Sequence, residues 1–235
     1  MNYDVFYSPL KFFEDNIVEN ENRELHTDYF YSHCPVWGHM FDRTFVGYSP
    51  VDFRLRVTDN ILEYQVDEEE IVEINLEEVE DGEYADEMIA FALNDMKEDF
   101  QVVQLQFISS FFWTSFEQEY LWFEFLDHPS TLANNGFVTI GGWFNIANHP
   151  RSTSLAIKYG ADNEGIQIER GDPVYRVRFY TDNMNDKPNL IKKKASMNMN
   201  MALQERRDAM SGDRKFMNKM LFDKDARKGC PYHNS

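Results

Sequence analysis

The sequence predicts a mainly β protein, an antiparallel jelly-roll-like sandwich or barrel with one inserted helix and a helical C-terminal tail. Three observations predict this fold class. Apolar and polar residues alternate in many short segments, which is the pattern of strands with one buried face. Turn-forming residues separate these segments at intervals of about 8–12 residues, as in sandwiches and barrels. The 235 residues include 20 Phe, 12 Tyr and 4 Trp, which are enough rings for a large core.

The clearest strand pattern lies in segment 51–57. Phe53 and Leu55 fall on one face of the predicted strand, and the polar residues between them fall on the other. A turn signal at Asp59 follows, and segment 61–66 then has the composition of a second strand. The two segments therefore form a predicted hairpin.

The other predicted strands are 71–76, 101–114, 119–125, 137–147, 155–159, 165–169 and 174–180. Gly141 and Gly142 interrupt one of them, which indicates a bulge or a close approach of two backbones. Segment 85–96 has helical spacing instead, with apolar residues recurring every four positions from Met88 to Met96. We expect it to be the inserted helix.

The formal charge of -18 is distributed unevenly. Residues 1–186 carry 36 acidic and 11 basic side chains, and residues 187–235 carry 5 acidic and 12 basic ones. We therefore divide the chain into an acidic, aromatic-rich β domain (1–186) and a basic, Met-rich helical tail (187–235). Segment 59–99 alone holds 17 acidic residues and one lysine. Such a segment repels nucleic acids and anionic membranes and attracts basic partners, although a solvated face without a partner has the same composition.

The tail has apolar residues near helical spacing. Leu203, Met210, Met217 and Met220 suggest two short amphipathic helices, separated near Ser211. Methionine side chains adapt to irregular apolar surfaces. The stripe is expected to bind the acidic domain of the same chain, a neighbouring subunit or another protein.

Several classes of protein do not fit the sequence. No stretch approaches the roughly 20 apolar residues of a membrane span, and the first ten residues lack the pattern of a signal peptide. Two cysteines do not make a disulfide framework. We expect a cytoplasmic protein, located in the host cytoplasm or the virion if it is viral.

Four short segments resemble an uncharacterised single-domain β family of bacteria and their viruses. They are residues 30–37 (FYSHCPVW), 48–53 (YSPVDF), 142–146 (GWFNI) and 166–174 (IQIERGDPV). In that family a Cys-Pro segment precedes a Pro-x-Asp strand, and a late strand leads into a Gly-Glu-Pro turn. The resemblance covers residues 30–180 and implies a β fold and a viral origin. The family's biochemical role is not established.

The last of these segments also looks like the Gly-Asp-x-Ile ending of dUTPase-type β-clip proteins. The substrate segments of true dUTPases are missing, so the resemblance does not imply that activity. The residues themselves predict a turn. Gly171 tolerates a positive φ, Asp172 can accept hydrogen bonds from nearby backbone N–H groups, and Pro173 fixes the start of the next strand.

Two sets of residues are candidate metal ligands. His26, Asp28 and His149 form the first set, with His128 as an alternative third ligand. Because His26 and Asp28 are two residues apart, a strand would place them on one face, as a non-haem Fe(II) site requires. With 41 acidic residues in the chain, however, a His-x-acid pair arises about once by chance.

The second set is a candidate zinc site. It combines Cys34 and His39 with Cys230 and His233, four ligands of the kinds that tetrahedral zinc prefers. The alternative interpretation is a buried Cys34 and a free Cys230 near the end of the sequence.

These observations favour a non-catalytic interaction or assembly component, expected to be viral, that contacts itself or a protein partner through an acidic face and the Met-rich tail. Such a protein needs no cofactor. The first alternative is a metal-dependent β-barrel enzyme using Fe(II) or Zn. The second is an acidic mimic of nucleic acid that captures a DNA-binding protein.

Overall fold

The computed structural model describes residues 2–9, 18–20, 34–59, 61–75, 89–90, 100–105, 110–113, 121–131, 136–145, 151–152, 155–160, 165–181, 183 and 185–193. These residues include seventeen strands and the helix α1. The elements are β1 (Asn2–Pro9), β2 (Val18–Asn20), α1 (Pro35–Phe41), β3 (Thr44–Tyr48), β4 (Phe53–Thr58), β5 (Ile61–Val66), β6 (Val72–Asn75), β7 (Ile89–Ala90), β8 (Phe100–Leu105), β9 (Ser110–Trp113), β10 (Trp122–Asp127), β11 (Phe137–Ile140), β12 (Trp143–Asn145), β13 (Arg151–Ser152), β14 (Leu155–Gly160), β15 (Ile166–Ile168), β16 (Pro173–Tyr180) and β17 (Lys187–Lys192).

The strands form four sheets. Their strand orders are β13-β9-β1-β17, β12-β10-β16-β3-β2, β11-β14-β8-β7 and β15-β4-β5-β6. Strands β1 and β17 pair in parallel, and the other pairings between described strands are antiparallel. The predicted fold class, mainly β and antiparallel, is therefore confirmed. The described strands make sandwich-like sheets rather than a closed barrel.

One hydrophobic core draws residues from all four sheets. It includes Val5 of β1, Phe123 of β10, Phe53 of β4 and Phe137 of β11, each of which is almost completely buried. Aromatic rings contact one another within it, and the Phe123 ring centroid lies 5.1 Å from that of Phe144. The high aromatic content of the sequence thus supplies the core, as predicted.

The predicted hairpin is β4 and β5. Phe53 and Leu55 are buried while Arg54 and Arg56 are exposed. The alternation of buried and exposed side chains predicted from the sequence is therefore present in the sheet. Asp59 begins the turn with a φ of 52°, a conformation that Asp tolerates better than most residues.

The helix predicted over 85–96 is wrong at the two residues that the structure describes there. Ile89 and Ala90 form strand β7, which pairs with β8. Helix α1 lies elsewhere in the chain and begins at Pro35 after an extended Cys34. Proline suits the first helical position, but two turns are too short to produce a clear sequence period.

Two of the predicted strands are each divided in the structure into two shorter strands, which lie in different sheets. Segment 101–114 contains β8 and β9, and segment 137–147 contains β11 and β12. In the second case the chain changes sheets at Gly141. A Cβ atom there would lie 2.8 Å from the carbonyl oxygen of Phe125, so the predicted close approach of two backbones is confirmed.

The first residues of the predicted tail extend a sheet. Lys187–Lys192 form β17 at the edge of its sheet, where Pro188 is tolerated because one side of an edge strand needs no ladder hydrogen bond. The two helices predicted further along the tail lie outside the described residues. No helix among the described residues is long and apolar enough to cross a membrane.

Candidate functional site

Most of the predicted metal ligands lie outside the described residues. This applies to His26, Asp28 and His149 of the iron set and to Cys230 and His233 of the zinc set. The other two zinc candidates flank and occupy α1, with Cys34 half-buried and His39 exposed. Within the described part of the chain, no three His, Cys, Asp or Glu residues come together as metal ligands would. Both metal sites remain predictions.

His128, the alternative third iron ligand, has a local structural role. Its Nδ1 lies 2.7 Å from the hydroxyl of Ser130 and accepts a hydrogen bond from the Ser130 N–H at 3.3 Å. Burial lowers the pKa of His128, and the nearby Arg176 lowers it further. At neutral pH the ring is therefore an uncharged group that orders its own turn.

The turn predicted at Gly171 packs against the segment that joins β3 to β4. Gly171 has a φ of 89°. Asp172 accepts a hydrogen bond from the N–H of Glu169 at 3.0 Å, as predicted for this turn. The Gly171 N–H donates to the carbonyl of Ser49, and the Ser49 N–H donates back to the carbonyl of Asp172, both at 2.8 Å.

Asp52 and Asp67 add further hydrogen bonds to this contact. We call the whole set of interacting residues the turn clasp (Ser49, Asp52, Asp67, Arg170 and Asp172). The Asp52 carboxylate accepts the Arg170 N–H at 2.7 Å, and the Asp67 carboxylate accepts the Asp52 N–H at 3.0 Å. Arg170 also pairs with Asp67 at 3.1 Å. The Pro-x-Asp and Gly-Asp-Pro segments of the resemblance therefore meet in space, and their contacts hold backbone turns together.

We expect Asp52→Ala to destabilise the protein by about 1 kcal/mol, because it removes a charged acceptor from a backbone N–H. Arg170→Ala is expected to cost less than about 0.5 kcal/mol, because its ion pair is exposed to solvent. Urea unfolding of the two variants measures both costs. A larger loss for Arg170→Ala would show that the ion pair, and not the backbone hydrogen bond, stabilises the clasp.

A strongly acidic surface lies beside the clasp, at residues 67–73, which we call the acidic edge. Glu68, Glu69, Glu70 and Glu73 are exposed there. Two apolar side chains are exposed among them, Ile71 at 62% and Val72 at 39%. Strand β6 ends the sheet order β15-β4-β5-β6, and no other described strand pairs with its outer side. The edge strand β6 and the turn before it thus present carboxylates together with two exposed apolar side chains.

A row of charged residues crosses this sheet and ends at β6. Arg56 of β4 lies opposite Glu63 of β5, which lies opposite Glu73 of β6. Among the residues that the structure describes, none forms an ion pair with Glu63 or Glu73. Like charges directly opposite each other in a sheet are destabilising. A cation placed on the outer side of β6 would relieve that repulsion.

The same face contains a pocket of about 410 Å³. Its lining includes Arg54, Arg56, Glu63, Gln65, Ile71 and Gln167. Gly165 is needed at its border, because it has a φ of 117° and a Cβ atom there would overlap the carbonyl oxygen of Leu55. The alternation in 51–57 predicts that Arg54 and Arg56 face outward, but the pocket is also lined by Ile71 and Gln167, which come from other parts of the chain.

Comparisons of the chain with protein-family models, with curated proteins and with solved structures each find no match. The resemblance to the family of bacteria and their viruses therefore remains a prediction.

Proposed function

We propose that this protein is a non-catalytic interaction component that binds a basic, extended segment of a partner protein at its acidic edge. The observation that supports this most directly is the row ending in Glu63 of β5 and Glu73 of the outer strand β6, two carboxylates that lie opposite each other and have no ion-pair partner among the described residues. The proposal is compatible with a role in viral assembly or host interaction. It is also compatible with a partner protein whose basic segment normally binds nucleic acid.

Strand addition is the binding mode that fits this edge. A peptide that extends a sheet gains main-chain hydrogen bonds, and its alternate side chains contact the neighbouring strand. On β6 those neighbours are Glu73 on one face and the partly exposed Val72 beside it. The matching peptide therefore alternates basic and apolar residues.

Charge also determines which partners are excluded from this edge. A second copy of the chain would bring its own Glu73 and Glu70 against the same residues, and like charges at an edge oppose pairing. The edge thus selects against self-association. Arg54 and Arg56, which line the adjacent pocket, can accept one acidic side chain from an otherwise basic partner.

A synthetic peptide of about eight alternating lysine and valine residues tests the proposal. We expect it to bind the full chain at low ionic strength and to lose affinity as salt is added. Glu73→Lys should weaken binding by about tenfold, since it replaces attraction with repulsion beside the added strand. Isothermal titration calorimetry measures both effects.

Two controls separate strand addition from general charge attraction. Asp4→Lys makes the same change in net charge at an exposed position on β1, in a different sheet, and it should leave the affinity within about twofold. A peptide with N-methylated backbone amides on its pairing side should not bind, because it cannot form the ladder. Equal binding of the methylated peptide, or an equal effect of both lysine variants, would contradict the proposal.

A further inference from the structure

A different sheet presents an exposed tryptophan that is held in a fixed orientation. Trp143 of β12 is 59% exposed. Its indole ring nevertheless stacks on the ring of Tyr180, with centroids 5.0 Å apart and planes 12° from parallel. One face of the indole is therefore covered by Tyr180 and the opposite face is open. An aromatic surface that is already ordered loses little conformational entropy when a ligand stacks on it.

Polar side chains contact Tyr180, and one of them, Glu124, lies opposite Trp143 in the pairing of β10 with β12. The Tyr180 hydroxyl donates to Oε2 of Glu124 at 2.5 Å. Arg178 donates through Nη1 to the Tyr180 oxygen at 3.3 Å and through Nε to Thr44 at 3.0 Å. The side chains of Arg178 and Glu124 are only 17% and 19% exposed. These hydrogen bonds hold both charged groups in place.

Both charged groups of this network have an atom that no described residue uses for a hydrogen bond. No described residue bonds to Oε1 of Glu124 or to Nη2 of Arg178, although Nη1 and Oε2 are only 4.0 Å apart. A carboxylate oxygen and a guanidinium nitrogen side by side offer an acceptor and donors. Adjacent hydroxyl groups of one ligand can use both at once.

The charge of the protein narrows the class of ligand. At -18, the chain repels phosphate-bearing ligands such as nucleotides and nucleic acids. A sugar ring without charge escapes this repulsion, presents C–H groups to the indole face and carries adjacent hydroxyls. Burial and the hydrogen bond to Glu124 raise the pKa of Tyr180, so its hydroxyl remains a neutral donor at pH 7.

We propose that Trp143, Glu124 and Arg178 form a binding site for a neutral polysaccharide. A sugar ring lies on the open face of Trp143, and hydroxyls of the same polysaccharide chain bond to Glu124 and Arg178. This site lies on the sheet that contains β10, β12 and β16, and it does not depend on the acidic edge of the β15-β4-β5-β6 sheet.

Affinity electrophoresis in native gels tests the site. Gels containing soluble β-glucan, xylan, galactomannan or starch should retard the full chain in at least one case. Trp143→Ala should weaken that retardation by about tenfold or more, because it removes the stacking surface. Glu124→Gln should weaken it less, since the amide oxygen still accepts a hydrogen bond.

Ile140→Ala is the matched control, because Ile140 is an exposed apolar residue (44%) near Trp143 that offers no ring to a sugar. It should leave retardation unchanged. Migration unaffected by all four polysaccharides would overturn the proposal, and so would retardation that Trp143→Ala does not change. An equal loss in Ile140→Ala would also overturn it, in favour of a general apolar docking surface. Glu73→Lys should not affect retardation, so failure of one proposal is distinguishable from failure of the other.

Discussion

Gly47→Ala is expected to destabilise the protein by about 2–3 kcal/mol. A Cβ atom on Gly47 would overlap two ring carbons of Tyr175 and lie 2.6 Å from its hydroxyl oxygen. Tyr175 is completely buried, and its ring packs edge-on against Phe125 at 5.3 Å. The ring therefore has no solvent to move into, and the added methyl group must displace close-packed neighbours. Urea unfolding measures the loss.

Gly38→Ala is the control for this change. Gly38 lies inside α1, and a Cβ atom there would meet nothing within 4 Å. The alanine should stabilise the helix by about 0.5–1 kcal/mol, because glycine is the poorer helix former. Similar small effects of the two variants would contradict the packing of β3 against Tyr175.

Much of the fold could be predicted because its strands have one buried face. The alternation in 51–57 gives β4 with its inward Phe53 and outward Arg54, and the register with β5 follows from the short turn at Asp59. Strand β1 carries the same signal in the buried residues Tyr3, Val5 and Tyr7. Its partners in the sheet, β9 and β17, are distant in sequence, so no neighbouring turn signal marks it as half of a hairpin.

Strand β17 and helix α1 could not be predicted in the same way. Segment 187–192 contains lysines and a proline, which are typical of an edge strand but also of a solvated tail. Its assignment depends on pairing with β1, which the local sequence does not encode. Helix α1 ends in local hydrogen bonds such as the one that the Thr44 hydroxyl donates to the Met40 carbonyl, and it is too short to show a long apolar period.

The two candidate sites also differ in whether the sequence alone could predict them. The acidic edge can be predicted from the number of acidic residues in the sequence, because carboxylates are exposed to solvent without requiring specific contacts. The site at Trp143 does not, since it depends on Glu124 lying opposite both Trp143 and Arg178 across two strand pairs. Those three residues lie on β12, β10 and β16, which are not consecutive in the chain. Only the register of the sheet brings them together.

Removing residues 187–235 is expected to cost about 3–5 kcal/mol more than removing residues 194–235. The difference between the two truncations isolates β17 and Lys193. Strand β17 pairs with β1 over six residues, from Asn2 opposite Lys187 to Tyr7 opposite Lys192. The Lys193 N–H also donates to the carbonyl of Tyr7 at 2.9 Å. Such a loss is a large part of the stability of a typical domain.

Thermal unfolding of both truncated chains checks this expectation, and equal midpoints would contradict the pairing of β17 with β1. Asn189→Ala provides a milder variant, since it removes only the side-chain bond to Asp4 at 2.9 Å and should cost about 1 kcal/mol.

The stability of the two truncated chains also decides how the Met-rich tail must be tested. A truncation after residue 186 would remove β17 and unfold part of the sheet, so a change in oligomeric state could not be assigned to the tail. A truncation after residue 193 keeps β17, and any change it causes in self-association or partner binding comes from residues 194–235.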